Sequence, residues 1–430
     1  MKKHLMVFAV NLLVLLFSTG CYTKAPKQVI RVSTFSTDPV IVTILMKSFT
    51  EIEKGHPGVK IQLDDIPYNN YLEKILTEMA AGGAPDIISV EANNFVDLYL
   101  KGVFEDLTPY AQKEGVDPKA YYPGVMHRFS PDGKICALPT DTAPFGLVYY
   151  NKKIFNEAGV PYPTNKWKWP EPFLSICQKL VKKDAAGKIT RWAFADPYGH
   201  SFDNFMFSNG GDYVDNPDHP TRMALDSPAA LEAIHFRWDL MNTYHVAPTV
   251  TELQNFSMGA SGAENMFING FLAMMDSGIW HTPKFLEAKG LDFDVVEFPR
   301  GPKGIQGWGS GGSGYAISKG SKNKDLAWQV LKEIAGTEDE AQLAGTGLIQ
   351  PALIKVAESD AFLKAPGAAN KKILLKMPDH SHYGPFVKNW AEINYGMLQP
   401  AYDPMWMGKQ TPEEAISAVT KKINDKFFKN

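Results

Sequence analysis

The chain has 430 residues, of which 44% are hydrophobic and 21% are charged. A chain of this length buries a substantial core, and we expect two or three domains because a single domain usually holds roughly 100–200 residues. The formal net charge is −3, and no run of lysine and arginine is longer than two residues. This balance excludes the basic surface that nucleic-acid-binding proteins carry.

The chain begins with the pattern of a secretion signal, predicted to cover residues 1–21. Two lysines precede an apolar stretch at 5–17 that is too short to cross a bilayer. Small residues then precede Cys21, an order that resembles the lipobox of bacterial lipoproteins. The resemblance implies a lipid on Cys21, a tether at 22–27, and an extracytoplasmic position on a cell membrane, in the periplasm or on the outer face of the cytoplasmic membrane. Secretion without a lipid is the open alternative.

Strands and helices alternate after the tether. Apolar alternation predicts a strand at 28–34, and an Asp-Pro pair at 38–39 predicts the start of a helix. A strand at 59–66 and a helix at 68–81 follow, and the continuously apolar segment 85–90 predicts a strand buried on both faces. This alternation favours parallel strands with helical crossovers, which is an α/β arrangement.

From residue 138 onward, further strands and helices are predicted, separated by segments rich in proline, threonine or glycine. Proline and threonine interrupt a strand region at 138–151, and glycine dominates a connector at 301–314. A capping box at Thr411 predicts a C-terminal helix docked on a core. The other predicted elements are helices at 228–243, 263–269 and 324–335 and strands at 271–276, 293–299 and 315–318.

Catalytic signatures are missing from the sequence. The segment 307–312 matches GxGxxG, but a strand follows it where the dinucleotide motif needs a helix, so we interpret it as a loop. No GxSxG, HExxH, P-loop or CxxC pattern is present, and we interpret the two histidines within 379–382 as part of a solvated loop. The sequence therefore predicts no catalytic residue, no metal site and no cofactor.

Five regions, taken in order, resemble a known family. They are AGGAPDI at 81–87 with LKGVFEDLT at 100–108, the stretch from ALP to the last tryptophan of 137–169, MFINGFLAMM through GIW at 266–280, VVEFP at 295–299 and GYAISKGSKNKDLAW at 314–328. Their order and spacing resemble the extracellular solute-binding proteins of carbohydrate ABC transporters, family 1, maltodextrin type.

The resemblance implies an α/β fold with the two lobes of a type II periplasmic binding protein, each lobe a mainly parallel sheet flanked by helices. A hinge that the chain crosses three times would join the lobes around a ligand cleft. The implied crossings lie near 140–145, 301–314 and 345–350, the N-lobe at 28–141 plus 311–346, and the C-lobe at 145–300 plus 350–430. Cys136 and Cys177 then fall in different lobes, where a disulfide would lock the hinge, so we expect both to be buried and unpaired.

The implied function is that of a substrate-binding lipoprotein and not of an enzyme. Such a protein would capture a sugar or oligosaccharide by hinge closure and deliver it to the permease of an ABC importer. The implied partners are this sugar, the permease and, through the lipid, the membrane; a monomer is expected and nucleic acid is not. Two alternatives stay open: the same receptor fold for a polyamine or another small solute, and a secreted glycan-active enzyme with two carboxylates facing each other across the cleft.

A sugar has hydroxyl groups at its edges and C–H groups on its faces, so its site needs polar side chains beside flat rings. Glu91, Asn93 and Asn94 follow the buried strand at its carboxyl end, where ligands sit in open α/β sheets. Trp280 falls on the family's position of a sugar-stacking tryptophan. The full set of implied ligand-binding residues is Ser36, Thr37, Tyr68, Glu91, Asn93, Asn94, Asp141, Tyr198, His200, Asn209, Asp276, Trp280, Trp308 and Trp390.

One departure from the family bears on the substrate. The family's charged pair after the buried strand corresponds to Asn93 and Asn94, which are neutral. A phosphate ligand would call for arginine or lysine, and the implied set contains neither. Sugar, oligosaccharide and polyol therefore stay open.

Overall fold

The computed structural model describes residues 28–36, 38–196, 200–257 and 261–428, and of residues 200 and 201 only the backbone. Four sequence predictions lie outside the described residues, namely the signal sequence with Cys21, the tether at 22–27, Thr37 and Tyr198. Within the described ranges, no helix is both long enough and apolar enough to cross a membrane.

Short strands supply the sheets of the molecule. The described strands are β1 (Gln28–Thr34), β2 (Val59–Asp65), β3 (Ile87–Glu91), β4 (Leu138–Pro139), β5 (Asp141–Pro144), β6 (Leu147–Asn151), β7 (Lys182–Lys183), β8 (Ile189–Ala195), β9 (Leu272–Ser277), β10 (Phe293–Glu297), β11 (Trp308–Gly311), β12 (Ser313–Ile317), β13 (Gln350–Pro351) and β14 (Ser381–His382).

Helices cover the sheets. The described α-helices are α1 (Pro39–Gly55), α2 (Tyr68–Ala80), α3 (Ala92–Leu100), α4 (Thr108–Glu114), α5 (Pro123–Arg128), α6 (Lys152–Ala158), α7 (Phe173–Leu180), α8 (His200–Ser208), α9 (Pro228–Asn242), α10 (Val250–Gln254), α11 (Ser261–Ile268), α12 (Thr282–Glu287), α13 (Lys324–Ile334), α14 (Thr337–Ala344), α15 (Ile354–Ala357), α16 (Asp360–Leu363), α17 (Trp390–Ile393), α18 (Gln399–Trp406) and α19 (Pro412–Ile423).

The first sheet has the strand order β2-β1-β3-β12-β4, and we call this sheet with its helices the first lobe. β1 pairs in parallel with β2, from Gln28 opposite Val59 to Thr34 opposite Asp65, and in parallel with β3. Helices α1 and α2 make these crossovers. The residues of β3 before Glu91 are all buried, as expected for a strand covered on both faces.

The second sheet has the strand order β10-β6-β9-β8-β7, and we call this sheet with its helices the second lobe. Among its described strands only β8 and β9 pair in parallel. In the first sheet, β12 pairs antiparallel with β3 and β4. The prediction of mainly parallel sheets is therefore wrong, and both sheets are mixed. The reason is that β6 and β12 enter their sheets from the hinge and not through a helical crossover, so nothing forces them to run parallel.

The two lobes are joined by a third sheet of short strands, in the order β13-β5-β11-β14, which we call the hinge sheet. β5 leads from the first sheet to the second, and β11 leads back from the second sheet to the first. β13 follows α14, which packs on α1 of the first lobe. The predicted hinge with three crossings is thus confirmed. The sheets do not define where each lobe ends, so the predicted lobe boundaries stay a prediction.

Local details predicted from the sequence are also confirmed. The Asp38 side chain caps α1 by accepting from the Val40 N–H. Thr411 forms the capping box of α19, whose apolar stripe is buried. Cys136 and Cys177 are buried and free.

Candidate ligand-binding cleft

Polar side chains cluster where strand β3 ends. Glu91 is the last residue of β3 and precedes α3, and the adjacent Ala92 N–H donates to Gly312 O of the hinge at 2.9 Å. Asn93, in the first turn of α3, donates through Nδ2 to Glu91 Oε1 at 2.8 Å. The strand therefore brings a carboxylate and an amide to the edge of the first sheet that meets the hinge.

Tyr68 extends this edge at the start of α2. Its ring is 54% exposed and lies edge-on to Phe35, with 5.8 Å between the ring centroids. Tyr68, Glu91 and Asn94 line one small cavity. Three of the predicted ligand-binding residues therefore lie side by side on the first lobe.

The carboxyl of Glu91 is poorly hydrated. Burial raises the pKa of Glu91 to about 7; its bonds with Asn93 and the Arg128 guanidinium oppose the rise, and the Asp141 carboxylate adds to it. Its second oxygen, Oε2, is buried and has no hydrogen-bond partner among the described residues. An unpaired buried acceptor costs about 1–3 kcal/mol, so a donor on a ligand would be stabilising here.

We expect the ligand-free protein to lose stability as the pH rises from about 5 to about 8. The pKa of Glu91 in the folded state lies above its ordinary value of 4.5, so the folded state holds this proton more tightly than the unfolded state does. The free energy of unfolding therefore falls between these two pKa values, and Glu91 contributes at most about 3 kcal/mol to the fall.

Urea unfolding of the wild type and of Glu91→Gln at both pH values checks this expectation. Asp141 and Asp203, whose pKa values burial raises to about 6 and about 7, act in the same direction, so the comparison between the two proteins isolates Glu91. The variant should show the smaller pH dependence. An identical dependence in both proteins would contradict the assignment.

Phe145, just after β5, connects this edge to the second lobe. A Cβ on Gly311 would lie 3.1 Å from the Phe145 ring and 3.3 Å from Glu91 Oε1, so glycine lets both groups approach strand β11. Phe145 also meets Trp280 edge-on, with 5.9 Å between the ring centroids. Trp280 is half-buried, and its ring covers Gly278 so closely that a Cβ there would overlap it. Glu91, Phe145 and Trp280 are therefore linked across the hinge.

Tyr395, which sequence reasoning missed, approaches the same place from the C-terminal part of the chain. It lies in a π-helical turn, Asn394–Leu398, that continues α17, and it is 62% exposed. Partial burial first, and the carboxylates of Glu91 and Asp97 second, raise the pKa of Tyr395. Ala391 N–H donates to Asp97 Oδ2 at 3.0 Å and fixes this segment against the first lobe.

Asp141 lies at the hinge in β5. It accepts from the N–H of Ser313 at 3.1 Å and from the hydroxyl of the same residue. Burial raises the pKa of Asp141 to about 6. Its carboxylate therefore ties two hinge crossings together and stands close enough to Glu91 to influence its pKa.

The predicted contact of Trp308 with the ligand is corrected, and Trp390 is also buried. Trp308 is fully buried; its Nε1 donates to Met377 O at 3.1 Å, and a Cβ on Gly146 would lie 2.7 Å from its ring. The predicted glycine-rich loop is strand β11, whose tryptophan packs into the hinge core. Trp390 is 6% exposed and meets Tyr213 edge-on at 5.3 Å, and its role as a sugar contact stays a prediction.

Two of the predicted polar contacts, Asp276 and Asn209, are buried in the second lobe. Asp276 on β9 is completely buried and accepts from Asn204 Nδ2 at 2.8 Å. Asn209 donates to Ala229 O at 2.8 Å and to the Glu232 carboxylate at 2.9 Å, which ties the end of α8 to α9. Each side chain also keeps one buried oxygen, Oδ1, without a hydrogen-bond partner among the described residues, so a ligand-binding role for Asp276 and Asn209 stays a prediction.

Two further predicted ligand-binding residues, Ser36 and His200, have few contacts that define their role. The Ser36 N–H donates to Thr34 Oγ1 at 3.2 Å, and the side chain of His200, at the start of α8, lies outside the described residues. Among the described residues, no further contact brings Ser36 to the cleft, and both positions stay predictions.

The two histidines of segment 379–382 pack against the hinge and are not part of a solvated loop. His382 stacks on Phe207 at 4.3 Å, and His380 meets Trp308 edge-on at 5.6 Å. Across the part of the chain that the structure describes, no group of three or more His, Cys, Asp or Glu side chains could hold a metal ion.

Two lobes, a hinge crossed three times and aromatic and acidic side chains meeting at that hinge define the class of periplasmic binding proteins. The profile of the family described as bacterial extracellular solute-binding protein matches residues 38–341. The chain belongs to this family, whose members act outside the cytoplasm.

Individual relatives can be aligned with this chain over most of their length. A putative binding protein of Brucella abortus is 25% identical over 395 residues, covering 87% of this chain and 89% of that protein. The arabinooligosaccharide-binding protein of Halalkalibacterium halodurans is 24% identical over 387 residues, covering 85% of this chain and 82% of that protein. The structure of an ABC substrate-binding protein of Listeria monocytogenes in complex with cycloalternan has a TM-score of 0.80 and 26% identity, covering 93% of this chain and 98% of that chain.

Proposed function

We propose that this protein is the substrate-binding component of an ABC importer that captures a sugar or oligosaccharide between its lobes and delivers it to the permease. The observation that carries the proposal is the junction of Glu91, Phe145 and Trp280 across the hinge. A carboxylate with an unpaired oxygen suits sugar hydroxyls, and the adjacent rings suit the C–H faces of a sugar.

The relatives support a carbohydrate ligand. One is named for arabinooligosaccharides, and the Listeria structure holds cycloalternan. Both ligands are carbohydrates of several rings, so we favour an oligosaccharide over a single sugar. The exposed rings of Tyr68 and Tyr395, on separate segments near Glu91, fit more than one sugar unit.

Closure about the hinge sheet would couple binding to transport. A ligand that contacts both Glu91 and Trp280 stabilises the closed arrangement, because an open one separates the two lobes. Shifting a population from 1:99 to 99:1 takes about 5.5 kcal/mol of differential binding. The permease would then recognise the closed form.

We also propose the lobe boundaries, the oligomeric state and the lipid anchor that the sequence predicts. The lobes span 28–141 plus 311–346 and 145–300 plus 350–430, the protein is a monomer, and a lipid on Cys21 anchors it to the membrane. We assign it no catalysis, since the relatives reported above are named as binding proteins.

Replacing Trp280 by alanine should weaken sugar binding by about 10- to 100-fold, since the substitution removes a large ring from the ligand surface. Thermal-shift screening of the wild type comes first, with maltotriose, arabinotriose, galactobiose, cycloalternan and spermidine. Calorimetry then gives the affinity of each protein for the sugar with the largest shift. Tyr244→Ala is the matched control, because this 38% exposed ring follows α9, where its N–H donates to Asp239 O at 2.7 Å. A shift with spermidine and with none of the sugars would contradict the proposal.

A further inference from the structure

Arg128 is a buried cation that the predicted ligand set does not include. Its side chain is 1% exposed, its Nε donates to Ala92 O at 2.7 Å, and its Nη1 donates to Gly384 O at 2.6 Å. The guanidinium also lies over the ring of Phe386, 4.7 Å from the centroid. The last nitrogen, Nη2, is buried and has no hydrogen-bond partner among the described residues. The protein therefore fixes this side chain firmly and leaves one donor unused.

The space beside Nη2 is bordered by other polar atoms. A Cβ on Gly384 would lie 3.7 Å from Arg128 Nη2, 3.7 Å from Asn93 Oδ1 and 3.6 Å from Trp390 Nε1. Asn93 donates in turn to Glu91, whose Oε2 is also buried and unpaired within the described residues. An unused donor and an unused acceptor thus flank the start of α3, and each is costly to leave without a partner.

The surrounding charges restrict the ligand that fits here. The carboxylates of Glu91 and Asp97 act on the guanidinium, and Asp141 acts on Glu91. A carboxylate or phosphate on the ligand would be repelled by these acidic groups, and an ammonium group would be repelled by Arg128. A hydroxyl group brings no charge, and it both accepts from an N–H and donates to a carboxylate.

We propose that Arg128 and Glu91 bind two neighbouring hydroxyl groups of one uncharged sugar ring. One hydroxyl accepts from Arg128 Nη2, the other donates to Glu91 Oε2, and Asn93 positions the carboxylate. This inference rests on the proposed function and adds that the ring bound beside α3 is neutral and carries a vicinal diol. It assigns a binding role to an arginine that the sequence motifs do not mark.

Filling the space at Gly384 tests the inference without removing any of the polar groups. Gly384→Ala places a methyl group at ordinary contact distance from its neighbours, so the protein should keep its unfolding midpoint while affinity for the tightest-binding sugar of the panel falls about 10- to 100-fold. Gly55→Ala is the control, because nothing lies within 4 Å of its added Cβ. Unchanged affinity in Gly384→Ala would overturn the inference.

Analogues of the same sugar give a second, independent readout. Removing single hydroxyl groups should identify two adjacent positions that each cost about 10- to 100-fold in affinity for the wild type. One of these losses should shrink to less than about threefold in Glu91→Ala, because that variant lacks the acceptor. Equal losses in both proteins at every position would refute the pairing. If no sugar binds the wild type, the proposed function itself fails; if a sugar binds without this pattern, only the present inference fails.

Discussion

Replacing Trp308 by alanine should lower the free energy of unfolding by about 3–5 kcal/mol. The indole is fully buried in the hinge sheet, its Nε1 donates to Met377 O at 3.1 Å, and its ring packs directly on Gly146. Alanine would leave a cavity and a carbonyl without its donor. Urea unfolding followed by circular dichroism measures the loss.

Trp280→Ala is the matched comparison, because it removes the same side chain from a half-buried position. We expect it to cost less than about 2 kcal/mol in stability and to weaken sugar binding instead. The opposite result, in which Trp308→Ala stays stable and fails to bind sugar, would restore Trp308 to the cleft.

Replacing Arg237 by methionine should destabilise the protein by about 3–5 kcal/mol at pH 8. Arg237 is buried in α9, and its Nη2 lies 3.5 Å from Asp196 Oδ2. Burial first, and the Asp196 carboxylate second, raise the pKa of Asp276, and Arg237 opposes that rise. Without the guanidinium, two buried carboxylates lose the cation that offsets them.

The loss in Arg237→Met should be smaller at pH 5 than at pH 8. The pKa of Asp276 in the folded state lies above its value in the unfolded state, so the cost of ionising it grows as the pH rises through that interval. Asp276→Asn keeps an acceptor for Asn204 and should change stability by less than about 1 kcal/mol. Combined with Arg237→Met, it should recover part of the lost stability. A loss that is the same at both pH values would argue against an electrostatic origin.

Hydrophobic periodicity predicted the longer elements well. The helix expected at 324–335 is Lys324–Ile334, and the strand expected at 293–299 is Phe293–Glu297. Strand direction was not predictable in the same way, because β6 and β12 reach their sheets through the hinge. The two-residue strands β13 and β14 are too short for any periodic pattern, and β11 was hidden by its glycines.

Part of the candidate site could be located from the sequence, where a rule about neighbouring residues applied. Glu91, Asn93 and Asn94 follow a buried strand directly, and the rule for the carboxyl end of such strands located them. The sequence could not distinguish buried tryptophans from those that could contact a ligand. The burial of Trp308, for example, depends on Gly146, which is far away in the sequence. Arg128 and Tyr395 lie close to Glu91 only because separate segments fold together, and no motif marks them.

The hinge sheet also gives related proteins a way to differ in their apparent affinity for a solute. Its strands hold only two to four residues, and two of them end in a proline, Pro144 or Pro351, that offers no backbone donor to its neighbours. An apparent dissociation constant equals the intrinsic constant divided by the fraction of molecules able to bind, so a hinge substitution that reduces this fraction tenfold weakens uptake about tenfold. Natural selection can therefore adjust how much solute a cell scavenges while every residue that recognises the solute stays the same.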